Sequence, residues 1–184
     1  GDRYNLVIPN REIRNIITSH ILKMFKESIK DDGKTVGEFC DALLKQNPEK
    51  VESIFTDYMR KTVSIRDTFV KKPTKENFYH GLILGLIVTL RDRYRIVSNR
   101  ESGRGRYDIA MYPLEKNQDA FLMEFKVWDK KKEKNLEETV ESAFRQIEEK
   151  KYVTDLVTAG INEERIYKLG FAFAGKEVLV KEKI

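Results

Sequence analysis

Apolar residues recur along this chain at two different spacings, and the change from one to the other divides it. Ile13, Ile16, Ile17, Ile21, Met24, Phe25 and Ile29 keep the three-and-four rhythm of one helix face. Pro9-Asn10 opens this first helix, with Asn10 as its cap, and Asp31-Asp32-Gly33-Lys34 closes it near Lys30. Thr35-Val36-Gly37-Glu38 has the form of a capping box and starts a second helix near Val36, with Phe39, Leu43 and Leu44 as its buried stripe. Asn47-Pro48 ends it and places Pro48 in the first turn of a third helix, which carries Val51, Ile54, Phe55, Tyr58 and Met59. A polar connector containing Pro73 runs from Ser64 to Lys75. A fourth helix is expected from about Lys75, capped by Thr74, to Asp92. Its Phe78, Leu82, Ile83, Leu86, Ile87 and Leu90 make it apolar on most sides, which puts it in the middle of a domain. Gly81 and Gly85 on this helix are expected to admit a close neighbour.

Beyond Asp92 the rhythm becomes alternation, the period of a strand. Three extended segments are expected: Arg95–Arg100, Tyr107–Met111 and Ala120–Trp128. Glu101-Ser102-Gly103-Arg104-Gly105-Arg106 reads as the turn between the first two, and Pro113 to Asp119 as the turn before the third. In the third segment Phe121, Met123, Phe125 and Val127 share one face, and Leu122, Glu124, Lys126 and Trp128 the other. In the second, Tyr107, Ile109 and Met111 share a face, with Asp108 and Ala110 opposite. Asn135-Leu136-Glu137-Glu138 is another capping box, opening a helix to about Tyr152 whose inner stripe is Leu136, Val140, Ala143, Phe144 and Ile147. Ile166–Ala174 and Glu177–Val180 read as two strands joined at Gly175-Lys176. Helix, three strands, helix, two strands predicts an α/β fold. Its mixed sheet would combine an antiparallel meander with a helical crossover and carry helices on its surface. The core is placed at residues 75–184, preceded by a helical part at 1–74 that packs against it.

Composition narrows the chemistry. The chain has 184 residues, 40% hydrophobic and 35% charged, with net charge +5. That balance belongs to a charged globular protein and mildly favours an anionic partner. A single cysteine, Cys40, excludes an internal disulfide and a thiolate zinc cluster, and two histidines exclude a histidine-rich metal site. Any metal is therefore a hard ion held by oxygen. The most apolar run, Leu82–Leu90, is too short to span a bilayer, so no membrane role is expected. No leader peptide is visible at the start, and a cytoplasmic location is the expectation.

Against that background a few polar residues lie where apolar ones belong. Asp108 and Glu124 are acidic groups in two otherwise apolar strands, which are costly to bury without partners. With Lys126, they form a set able to hold a divalent cation and a phosphate together. Glu76 and His80 share a face at the start of the buried helix, and Gln146 lies beside the inner-stripe residues Ala143 and Ile147. Gly170-Phe171-Ala172-Phe173-Ala174-Gly175-Lys176 fits G-x-x-x-x-G-K. It is followed by Glu177 and a strand rather than by Ser or Thr and a helix, so it reads as a hairpin turn and not a phosphate loop.

The order of these residues resembles the PD-(D/E)XK nuclease superfamily. The resembling sequence has a helix-borne Glu, Asp on the second strand, Glu-x-Lys on the third, and a following helix with Gln. Five blocks resemble more closely the branch found at the C-terminus of bacterial AAA-ATPase-like proteins. They are Glu76-Asn77-Phe78-Tyr79-His80-Gly81, Ser98-Asn99-Arg100-Glu101-Ser102-Gly103, Gly105-Arg106-Tyr107-Asp108, Glu124-Phe125-Lys126 and Gln146-Ile147-Glu148-Glu149-Lys150-Lys151-Tyr152. Ile8-Pro9-Asn10-Arg11-Glu12-Ile13-Arg14 resembles the junction with the ATPase part, an upstream partner region. Tyr107 replaces the proline that begins the short family motif.

The resemblance implies a restriction-endonuclease-like core that hydrolyses phosphodiester bonds, in DNA rather than RNA. Asp108, Glu124 and the backbone carbonyl of Phe125 would bind Mg²⁺, or Mn²⁺ in its place, with waters completing six ligands at about 2.0–2.1 Å. Lys126 would hold the attacking water or stabilise the transition state. Glu76 would support a second ion or a metal-bound water, and Gln146 would orient the water or the lysine. His80 would move a proton or touch phosphate, with a satisfied core histidine on an apolar helix as the equal alternative. Arg91, Arg93, Arg95, Arg100, Arg104 and Arg106 cluster around the first two strands against only Asp92 and Glu101. Arg100, Arg104, Arg106 and Lys130 are the expected contacts to a nucleic-acid backbone. The rival expectations are a catalytically silent interaction module of the ATPase and a nucleic-acid-binding module that does not cut.

Overall fold

The computed structural model describes residues 33–62, 72–98, 101–102, 105–115 and 117–183. The helix expected over 10–30, Arg100 and Arg104 lie outside these residues. Helix α1 (Gly33–Leu44) and helix α2 (Pro48–Thr62) are followed by α3 (Lys72–Ile87), whose end tightens into a 3₁₀ turn at Val88–Leu90. Strand β1 (Tyr94–Ser98) leads into two-residue strands β2 (Glu101–Ser102) and β3 (Gly105–Arg106), then β4 (Ile109–Pro113) and β5 (Ala120–Val127). Helices α4 (Leu136–Glu149) and α5 (Val153–Thr158) precede β6 (Ile166–Ala174) and β7 (Glu177–Lys183).

The main sheet has the order β1-β4-β5-β6-β7. Strands β4 and β5 pair antiparallel, and the crossover through α4 and α5 brings β6 back parallel to β5. This is the expected mixed α/β architecture. On one face, α1, α2 and α3 share a core with Ile109, Met111, Phe121, Met123, Phe125 and Phe173. Tyr79 of α3 stacks on Phe173 at 4.1 Å and 3°, and Phe173 also meets Phe55 of α2 at 5.9 Å. The core therefore runs across the boundary drawn at residue 75. On the other face α4 packs Val140, Phe144 and Ile147 against Ala110, Leu122 and Ala172.

Local chemistry explains most element ends. Asn47 caps α2 by accepting the Lys50 N–H at 2.9 Å, with Pro48 in the first turn. Asn135 caps α4 by accepting the Glu138 N–H at 3.0 Å, while the Glu138 carboxylate accepts the Lys134 N–H at 2.9 Å. The Gly175-Lys176 turn joins β6 to β7, with Gly175 at φ +64°. The G-x-x-x-x-G-K stretch is thus a hairpin, as its context indicated.

Several expectations change. Helix α1 is described from Gly33 and α3 from Lys72, so Thr35 and Thr74 lie within the helical spans. The segment expected to be a simple turn contains a small ladder, Glu101 opposite Arg106 and Ser102 opposite Gly105. Tyr107 does not share a face with Ile109 and Met111. It packs in the α4 layer with Ala110 and Tyr112, because the chain bends at Asp108 and alternation begins only at Ile109. A Cβ on Gly81 would meet nothing within 4 Å, so no neighbour approaches there. The close approach occurs at Gly170 of β6, where a Cβ would lie 2.9 Å from Val140 of α4.

Candidate functional site

Strand β5 carries the centre of the site. Its alternation sends Phe121, Met123, Phe125 and Val127 into the α1–α3 layer, and leaves Glu124 and Lys126 on the α4 side. Glu124 is only 1% exposed. Its Oε1 accepts from the Gln146 amide and lies 3.2 Å from Lys126 Nζ. Lys126 Nζ in turn donates to Gln146 Oε1 at 2.6 Å. The Gln146 Nε2 also donates to the Tyr152 hydroxyl at 3.2 Å. With two acceptors on its amino end, the amide must point its oxygen at Lys126, which fixes both charged groups.

Asp108 reaches the same place from the bend before β4. Continuing the β4–β5 register puts it opposite Glu124, but the bend keeps it out of the ladder. Its Oδ2 accepts the Phe125 N–H at 2.7 Å in place of a strand partner. The N–H and C=O of a strand residue point to the same edge, so the Phe125 carbonyl faces the side where Asp108 lies. Asp108, Glu124, Lys126 and Gln146 are therefore brought together.

Two carboxyls here are hard to ionise. Burial, and then the negative charge of Asp108, push Glu124 up to about 8, with Lys126 opposing. Burial pushes Asp108 up to about 6, opposed by the Phe125 N–H and Lys126 and reinforced by the charge of Glu76. Glu124 Oε2 is buried and has no hydrogen-bond partner. A buried carboxylate oxygen without a donor is uncommon. Two such carboxyls beside a backbone carbonyl offer only hard oxygen donors, the set that suits a small divalent cation. Glu76 influences Asp108 from α3, yet among the described residues no three His, Cys, Asp or Glu side chains form a metal-holding group. The oxygen donors gathered here are two carboxyls and a carbonyl, with Glu76 close enough to act on Asp108 through its charge.

His80 lies one turn along α3 from Glu76. Its Nε2 lies 2.9 Å from Ser98 Oγ and 3.2 Å from the Asp108 carbonyl. Burial lowers its pKa. Of the four basic candidates, Lys130 and Arg106 fall within the described residues. Lys130 lies beyond β5 with Nζ 5.2 Å from the Trp128 ring centroid, Arg95 stacks over Tyr112 at 4.1 Å, and Arg106 belongs to β3. Sequence reasoning assigned no role to Tyr152 or Ser98. Each is a hydroxyl within reach of a candidate residue only through the fold, and no spacing rule points to either.

A model of the PD-(D/E)XK nuclease superfamily matches residues 74–183. The chain belongs to this superfamily. No curated protein and no solved structure matches it. Membership in the PD-(D/E)XK nuclease superfamily implies a nuclease-type hydrolase, and PD-(D/E)XK nucleases typically use divalent metals. The matched region spans α3 through β7 and contains every residue of the site just described. No helix among the described residues is long and apolar enough to cross a membrane.

Proposed function

We propose that this chain hydrolyses phosphodiester bonds in nucleic acid, DNA in preference to RNA, as the C-terminal domain of an ATPase-like protein. The cofactor would be Mg²⁺, with Mn²⁺ as substitute, held by Asp108, Glu124 and the Phe125 carbonyl, with Glu76 supporting a second ion or a metal-bound water. The observation that carries the reading is the meeting of Asp108, Glu124 and Lys126 at one point, with Glu124 Oε2 lacking a partner. Superfamily membership supports the reaction class. The preference for DNA and the ATPase context rest on the resemblance of the sequence blocks, including Ile8 to Arg14.

When bound, the cation supplies positive charge against the phosphoryl oxygens and Lewis acidity toward water. The residues do the rest. Gln146 holds Lys126 Nζ in place, so the ammonium keeps one position beside Glu124. From there it orients the attacking water or stabilises negative charge gathering on the phosphate. Its charge also favours ionisation of the two carboxyls, against their burial. Phe125 N–H fixes the rotamer of Asp108 before any ligand arrives.

The test is nicking of supercoiled DNA by the purified chain with Mg²⁺ or Mn²⁺. Lys126→Ala and Asp108→Ala are each expected to lower the rate by roughly 10²–10³ while circular dichroism stays native. Cutting that persists in both variants removes the site assignment. Binding that falls steeply with salt, with no product in any metal, would leave a nucleic-acid-binding module instead. Absence of metal binding would leave an interaction module.

A further inference from the structure

We propose that His80 is a positioning residue whose Nε2 staples both feet of the β2–β3 hairpin and so fixes the main chain of Asp108. The inference rests on the reading of Asp108 as a site carboxylate. The chain leaves the sheet after Ser98, the last residue of β1, and returns at Ile109, the register partner of Ser98. The excursion between them carries the β2–β3 ladder and, in sequence, Arg100, Arg104 and Arg106. Ser98 and Asp108 are the two feet of this excursion. One imidazole nitrogen touches both, at 2.9 Å from Ser98 Oγ and 3.2 Å from Asp108 O.

The chemistry of the contacts sets the tautomer. A backbone carbonyl only accepts, so Nε2 carries a hydrogen toward Asp108, and Ser98 Oγ can accept from the same N–H. Asp108 lies just outside the β4 ladder, where a half-buried carbonyl needs a donor from elsewhere. The ring packs against Phe125 with centroids 5.9 Å apart and planes at 55°. His80 therefore meets the residue whose N–H grips the Asp108 carboxylate at 2.7 Å. Asp108 is held twice, by its carbonyl from α3 and by its side chain from β5. An Nε2–H occupied by two protein oxygens is not directed at a substrate, so this nitrogen holds the main chain and does not pass its proton to a reacting group.

The experiment compares the full chain with His80→Leu and His80→Gln, whose amide N–H replaces Nε2–H at similar reach. Amide hydrogen exchange without metal reads the Phe125 N–H and residues 105–112, and calorimetric titration reads Mn²⁺ affinity. His80→Leu is expected to speed exchange at Phe125 and across the hairpin return, and to weaken Mn²⁺ binding roughly tenfold or more. His80→Gln is expected to keep both near wild type. Ser98→Ala, which frees one foot, should speed hairpin exchange and serves if His80→Leu does not fold. Wild-type exchange in folded His80→Leu or Ser98→Ala overturns the proposal. So does a His80→Gln chain as impaired as His80→Leu, with cutting restored by added imidazole. A wild-type chain that takes up no Mn²⁺ would sink the proposed function alone, since the exchange measurement does not involve a metal.

Discussion

At the scale of single residues, the unusual feature is a pair of carboxyls held under conditions that oppose their charge. Asp108 rises from 3.8 to about 6 and Glu124 from 4.5 to about 8, first through burial. A carboxyl with a raised folded pKa binds its proton more tightly in the folded state. Its contribution to stability is full below the unfolded value, near pH 4, and is lost as pH rises through about 6 for Asp108 and about 8 for Glu124. The metal-free chain should therefore lose stability between pH 5 and pH 9. Asp108→Asn keeps an acceptor for the Phe125 N–H and removes the charge. It should be more stable than wild type at pH 8 by about 1–3 kcal/mol, with little difference at pH 4. Urea melts in EDTA at the two pH values measure this, and equal curves at pH 8 would refute it. Mg²⁺ should raise the melting temperature of wild type at pH 8 and do little for the variant. The carboxyls and Lys126 were legible in the sequence because charge stands out on apolar strands. Tyr152 was not, since its role depends on the direction of one amide on the preceding helix.

At the scale of elements, Gly170 controls how closely α4 rests on the sheet. It is the register partner of Glu124 on β6, and a Cβ there would meet Val140 Cγ2 at 2.9 Å and the Phe144 ring at 3.2 Å. Gly170→Ala is expected to cost about 1–3 kcal/mol through overpacking. The same change should also displace Gln146, so metal affinity should fall along with the melting temperature. A melt at the wild-type temperature would show that α4 gives way without cost. The sequence marked this glycine only as part of a false phosphate loop. Alternation reports which face a residue occupies, and it is silent on how near the opposing helix lies. The same limit explains the misplacement of Tyr107: one bend at Asp108 shifts the phase, and the pattern of apolar residues reads equally well on either side. The faces of β5, the Asn135 cap and the Gly175 turn were legible because each depends on neighbours in sequence. The glycine expected to admit a neighbour, Gly81, faces open space instead.

At the scale of the whole molecule, the boundary suggested by sequence at residue 75 cuts through a shared core. Phe39, Leu43, Val51, Phe55 and Met59 from α1 and α2 are buried with Phe125, Phe171 and Phe173 of the sheet. Removing one large core side chain costs about 3–5 kcal/mol, and a whole domain is stable by only about 5–15 kcal/mol. A fragment of residues 75–184 is therefore expected to lack a cooperative melt and to bind a hydrophobic dye. A sharp transition equal to that of the full chain would show that α1 and α2 are dispensable. The parallel pairing of β5 with β6 has a further consequence in time. During translation, Glu124 and Lys126 leave the ribosome while Phe173, which anchors Tyr79 and Phe55, is still unmade. The α1–α3 layer therefore cannot close over β5 on a nascent chain until β6 has emerged, so Glu124 and Lys126 wait on an unfinished sheet.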